Sequence, residues 1–238
     1  MCVIFFANQV HPKHPLIVLA NRDESYDRPT APAGRWNDYP NIFAGRDLVA
    51  NGTWLGAADG GHFAAVTNYR EPKPSTGELS RGELVADFLK GELSLDRYLE
   101  TVESESHRYS GFNLILGTAG RQLFYLSNRD GGVRSLEPGI YGLSNHLLNT
   151  AWPKVSTGLA RFEQVVSKDL IDRNECFELL TDETLAADSD LPDTGVGLER
   201  ERVLSSIYVR TPLYGTRSST VVLFDTDGEF YFEERVFV

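Results

Sequence analysis

Cys2 stands directly after the initiator Met, at the head of the apolar run Val3 to Ala7. Removal of Met1 would leave a thiol and a free α-amine on one residue. An α-amine titrates at about 7.7–8.0 and a thiol at about 8.5. The amine is therefore matched to take the proton from its own side chain, the logic of an N-terminal nucleophile. A cysteine in this place is otherwise a small buried apolar residue, so the polar groups elsewhere in the chain must decide. Residues 16–28 read LIVLANRDESYDR, an apolar run leading straight into Asn21, Arg22, Asp23 and Glu24. Functional side chains gather where a rigid strand ends; the plain alternative is a solvated turn. Arg22 would lower the thiol pKa by its charge, and Asp23 would hold the α-amine.

Two asparagines close apolar runs: Asn68 ends FAAVTN and Asn145 ends IYGLSN. A neutral amide can donate to a developing oxyanion without titrating; either residue alone can equally cap a strand end. Arg217 sits among hydroxyls in GTRSST, a setting suited to a carboxylate or carbonyl or to an ordinary exposed arginine. The five histidines are scattered and show no HExxH or facial-triad spacing, so no metal site is expected. Cys176, in NECFELL, is expected to be structural. Trp54, Phe63, Tyr69 and Tyr141 belong either to a pocket wall or to the core.

The elements that would carry these residues follow from pattern. Val3 to Ala7 and Leu16 to Ala20 read as a hairpin covered on both faces. Asn51 to Ala57 and His62 to Asn68 read as a second pair across the Asp59-Gly60-Gly61 turn. Ser80, with Glu83 three residues on, opens a helix that Gly91 ends, and Ser94 opens another. Strands are expected at 113–116, 123–126 and 140–143, helices at 155–166 and 174–180, and a mobile acidic loop at 181–192. A hairpin, 220–224 with 230–238, closes the chain. No βαβ alternation appears, which argues for mostly antiparallel sheets with helices outside. With no linker or repeat, residues 1–238 read as one domain.

Bulk properties narrow the function classes. The net charge of −11, with no basic cluster, argues against nucleic acid and anionic membranes as partners. No apolar stretch reaches the about 18–20 residues that a transmembrane helix needs, and the N-terminus has no basic leader. Two cysteines without CxxC spacing suit a reduced, cytoplasmic protein.

The segments MCVIFFAN, LANRDES, GTWLGA, AAVTNYR, GLSN, LPDTGV, LSSIYV and YGTRSSTV occur in order over nearly the whole chain. Together they resemble the NRDE family, that of the transport and Golgi organisation protein. The resemblance implies an N-terminal-nucleophile fold, an α+β four-layer αββα sandwich of two mostly antiparallel sheets. It is also similar to the cysteine branch holding penicillin V acylase, bile salt hydrolase and acid ceramidase. By position, that branch's catalytic roles would fall on Cys2, Arg22, Asp23, Asn68, Asn145 and Arg217. Arg and Asp are adjacent here rather than two or three residues apart, which leaves Glu24 open to the acidic role. The implied activity is hydrolysis of a linear amide, such as an N-acyl compound, with no cofactor required. The alternatives are a haem-binding or haem-trafficking protein on the same fold, with His62 and His146 first in line as ligands, and a catalytically silent member. The partner in each active case is a small molecule with an amide or apolar part.

Overall fold

The computed structural model describes residues 2–72 and 77–238. Met1, on which the notion of a processed N-terminus turns, lies outside them. Two antiparallel sheets form the centre. The five-stranded sheet is ordered β10 (Gly139–Leu143), β1 (Cys2–Asn8), β2 (Leu16–Ser25), β11 (Tyr214–Phe224), β12 (Phe230–Val236). The seven-stranded sheet runs in sequence order through β3 (Thr30–Arg35), β4 (Ile42–Asp47), β5 (Leu55–Ala58), β6 (His62–Asn68), β7 (Phe112–Thr118), β8 (Gln122–Ser127) and β9 (Val133–Leu136).

The continuous apolar runs of β1 and β2 have a simple cause, since both faces are covered. Ile4 and Phe6 meet Leu55, Phe63 and Ile115 of the other sheet. Val3, Phe5 and Ala7 face away from it, against Phe162, Val165 and Phe177 of α3 (Pro153–Val166) and α4 (Arg173–Leu180). On the far side, α1 (Arg81–Lys90) and α2 (Leu95–Glu105) bury Leu84, Val85, Phe88, Tyr98 and Leu99 against β4, β6 and β7. Helices, sheet, sheet and helices make the four layers expected.

Helix α1 begins and ends where the sequence places it. The Ser80 side chain accepts from Gly82 N at 3.3 Å, and Gly91 stops the helix at φ 72°, a left-handed conformation that costs glycine nothing. Four features differ from expectation. Strand β2 continues to Ser25, so Asn21–Glu24 lie within a paired strand rather than after it. Residues 51–54 form a loop before β5. Strands β3, β4 and β9 are additional; β3 is an edge strand with a register break between Ala31 and Gly34, which accommodates Pro32. The acidic stretch 181–192 is tied down: Arg161 pairs with Asp182 at 2.7 Å, Ala186 N donates to Ser205 Oγ at 3.0 Å, and Arg202 of a further short helix, α5 (Leu198–Val203), pairs with Asp188 at 2.6 Å.

Candidate active site

One cavity of about 580 Å³ opens at the end of the sandwich where β1 begins, β6 ends and α1 begins. Cys2, Arg22, Asp23, Asn68, Arg217 and Arg81 all line it. Pairing of β1 with β2 sets Cys2 opposite Arg22. Directly paired residues project to the same face of a sheet, and neighbours along a strand to opposite faces. Cys2 therefore shares a face with Arg22, and Asp23 turns toward the helical layer with Asn21.

Cys2 is 8% exposed. Burial pushes its thiol pKa up, and the Asp23 carboxylate adds to this, while the Asp23 backbone and the Arg22 guanidinium pull the other way. The Arg22 guanidinium is 3.7 Å from Asp47, whose stronger partner is Arg28 at 2.6 Å. Burial alone would raise the Asp47 pKa; hydrogen bonds from Arg28 and the Ala50 and Val49 amides outweigh it and leave the carboxyl low.

Asp23 is almost fully buried. Its Oδ1 accepts from Thr216 Oγ1 at 2.7 Å, and the Tyr214 hydroxyl donates to its backbone oxygen at 3.0 Å. Thr216 Oγ1 in turn accepts from Val209 N at 2.9 Å, so the hydroxyl is oriented. Burial raises the Asp23 pKa, against the nearby positive charge of Lys154 and Arg70. Glu24 lies on the cavity side, with Oε1 accepting from Ser25 N at 2.9 Å. Asn21 is structural: its amide donates to the Leu180 and Ile207 carbonyls at 2.8 and 2.9 Å and accepts from Ser219 Oγ at 2.6 Å.

The two asparagines separate in role. Asn68 lines the cavity, and its side-chain amide makes no hydrogen bond among the described residues. Asn145 is fully buried outside the cavity lining, and its Nδ2 donates to the Asn68 carbonyl at 3.0 Å. It props the other asparagine through that bond and is not among the residues that line the cavity. Arg217 owes its position to a β-bulge: Thr216 pairs with Asp23 and Ser218 with Arg22, leaving Arg217 as the extra residue. Such a bulge re-aims a side chain. The Arg217 guanidinium bonds the Ser25 carbonyl at 3.0 Å, the Arg28 carbonyl, and Val238 O at 3.3 Å. It ties the cavity wall together through main-chain oxygens and pairs with no acidic side chain among the described residues.

Of the four aromatics, Trp54 alone lines the cavity. Phe63 is core, edge-on to Phe224; Tyr141 stacks on Phe6 at 5.0 Å, and Tyr69 meets His146 at 5.0 Å with the rings tilted. His62 and His146 are absent from the lining; they bond the Asp59 carbonyl at 3.1 Å and Thr150 Oγ1 at 2.9 Å. Cys176 is fully buried in the α4 core, where burial pushes its thiol up to about 12.

Two features escaped the sequence reading. Arg81 reaches the cavity from the first residue of α1; the helix start was visible, but nothing in one dimension aims it at Cys2. Behind Asp23, Arg70 and Glu201 form a buried ion pair at 2.6 Å, with Arg70 over the Trp152 ring at 4.5 Å and the buried Lys154 close by.

The sequence profile of Transport and Golgi organisation 2 matches residues 1–238. The chain belongs to that family. It is 39% identical to the Transport and Golgi organization protein 2 homolog of Bos taurus, over 99% of this chain and 92% of the relative. The Homo sapiens homolog is 38% identical over the same shares. Among solved structures, it is similar to a Caenorhabditis elegans N-acylethanolamine-hydrolyzing acid amidase ortholog, with TM-score 0.55, 14% identity, and 96% of this chain and 94% of that one covered. It is also similar to the C2A mutant of conjugated bile acid hydrolase from Clostridium perfringens, with TM-score 0.51, 10% identity, and 100% and 97% covered. The chain thus has the N-terminal-nucleophile hydrolase fold of these two structures. No helix among the described residues is long and apolar enough to cross a membrane.

Proposed function

We propose that this member of the family is an N-terminal-cysteine amidohydrolase acting on a linear N-acyl amide. The observation that carries the reading is the placement of Cys2 at the head of β1, in one cavity with Arg22, Asp23 and Asn68, whose amide makes no hydrogen bond among the described residues. Likeness in fold to two amide hydrolases supports it.

With Met1 removed, the Cys2 α-amine would accept the thiol proton as Sγ attacks the amide carbonyl. The oxyanion would be held by Asn68 Nδ2 and a backbone N–H. Collapse of the tetrahedral intermediate breaks the C–N bond, and the leaving amine takes the proton from the ammonium. Water then cleaves the thioester, returning the thiol and releasing the acid. Asp23, rather than Glu24, suits the role of holding the amine. It lies one residue past the partner of Cys2, alongside the start of β1, and Thr216 fixes its carboxylate. Arg22 lowers the cost of the thiolate that a raised thiol pKa would otherwise impose.

The test combines intact mass with a panel of N-acyl amides. The expected result is a chain lacking Met1 that turns amides over, with Cys2→Ala inactive. Turnover that survives Cys2→Ala would sink the mechanism. In the haem-carrier alternative, Cys2 would supply the iron ligand, because His62 and His146 stand outside the cavity lining; a haemin titration beside the panel separates the two.

A further inference from the structure

We infer that Arg81 reads a carboxylate on the substrate, so that the amides hydrolysed at Cys2 are N-acyl α-amino acids. The inference rests on the hydrolase reading and names its substrate class.

The cavity contains five arginines: Arg22, Arg28, Arg46, Arg81 and Arg217. Four are engaged by the protein. Arg28 and Arg22 approach Asp47. Arg46 makes a bidentate pair with Asp38, both bonds at 2.7 Å. Arg217 is spent on carbonyl oxygens. Arg81 differs. Among the described residues it forms no ion pair and makes one side-chain hydrogen bond, from Nη1 to the Gly111 carbonyl at 3.1 Å. A guanidinium carries five N–H donors in a fixed fork, so its remaining donors are available to a ligand. Glu24, on the same cavity, bonds its own neighbour's amide and makes no ion pair with Arg81.

The single tether fixes where the fork lies. Gly111 O also accepts from Tyr69 N at 2.9 Å, and Phe112, the next residue, pairs with Asn68. Arg81 is thereby anchored at the Asn68 end of the cavity, beside the proposed oxyanion donor. A carboxylate that meets it must lie within a few bonds of the scissile carbonyl, as the α-carboxylate of an N-acyl amino acid does and a charge at the far end of an acyl chain does not. A planar carboxylate also matches the fork bidentately, which a lysine cannot reproduce. Burial lowers the Arg81 pKa while the nearby Cys2 and Glu24 act to raise it. That proximity to Cys2 agrees with the placement.

The experiment uses two probes of the same shape, N-octanoylglycine and its neutral amide N-octanoylglycinamide. Binding is measured by calorimetry on Cys2→Ala, with and without Arg81→Met. Turnover of the glycine amide bond is measured on the processed wild type and on Arg81→Met. The expected results are tenfold or tighter binding of the acid over the neutral probe, abolished by Arg81→Met and only partly restored by Arg81→Lys. In turnover, the preference in kcat/KM for the acid over the neutral probe should fall about tenfold in Arg81→Met, chiefly through KM. Equal binding of both probes, no binding of either, or an acid preference that persists in Arg81→Met overturns the inference. Arg81-dependent binding without any turnover would sustain the anion site while removing the hydrolase. Equal turnover of both probes would do the reverse.

Discussion

Cys2 and Arg22 are direct partners across β1 and β2 and project from the same face of the sheet, while Asp23 projects from the other. Adjacent residues on a strand thus face apart, and the proposed hydrolase would use the cation for the sulfur and the acid for the α-amine. Replacing the cation should raise the cost of the thiolate. In Arg22→Ala, the iodoacetamide alkylation rate of Cys2 at pH 7.5 should fall about threefold or more, with the pH profile moved upward. In Asp23→Asn the profile should move the other way, because the neighbouring carboxylate raises the thiol pKa. Two unchanged profiles would show that neither residue acts on the sulfur.

Much of this site is legible in one dimension. Cys2, Arg22, Asp23 and Asn68 each end or interrupt an apolar run, and the period-two alternation of a strand already requires that Arg22 and Asp23 face apart. What a single sequence withholds is long-range closure. Asn145 reads like Asn68, and only the packing of its segment against the end of β6 turns its amide onto a backbone carbonyl. Arg217 gains its place from a bulge, a slip of one residue between two strands from opposite ends of the chain, which leaves no local signature. Strands β3 and β4 carry Pro32, Gly34 and Gly45, residues that weaken the strand pattern; Pro32 and Gly34 lie on β3, where an edge position tolerates them.

The two cysteines should differ in access rather than in chemistry at rest. Both thiols are shifted upward by burial, but Cys2 opens on the cavity and Cys176 is sealed in the core beneath α4. A disulfide reagent at pH 8 should titrate one thiol per native chain and two in denaturant. Loss of the native thiol in Cys2→Ala assigns it. Rapid modification of Cys176 in the folded protein would show that the α4 layer opens.

The GTW segment has a steric reason. A Cβ on Gly52 would lie 2.5 Å from the Gly82 carbonyl carbon, and Thr53 N donates to Gly82 O at 3.1 Å. This close approach seats the first turn of α1, and with it Arg81, on the cavity. Gly52→Ala should therefore destabilise the fold by about 1–3 kcal/mol, read as a lower urea midpoint. Gly82→Ala, whose Cβ would meet Thr53 backbone atoms at 3.3 Å, should cost less. Equal midpoints for Gly52→Ala and the wild type would mean that the loop and helix separate freely.

Lys154 carries a stability signature of its own. It is 4% exposed, and its Nζ has no hydrogen-bond partner among the described residues. Burial lowers its pKa from 10.5 to about 8, against the pull of the Asp23 carboxylate. The folded pKa therefore lies below the unfolded one. Below pH 8 both states hold the proton, and the cost of burying the charge is present in full. Between pH 8 and 10.5 the unfolded chain binds more protons than the folded chain, so stability contributed by this group rises with pH. Tyrosines and Cys176 titrate in the same region with the opposite sign, because burial raises their pKa values, so the comparison must be with a variant that keeps them. Relative to Lys154→Met, the wild type should gain on the order of 3 kcal/mol from pH 8 to 10.5, measured by urea denaturation at each pH. Parallel curves for the two proteins would mean that Lys154 finds a partner for its charge in solution and does not titrate in this window.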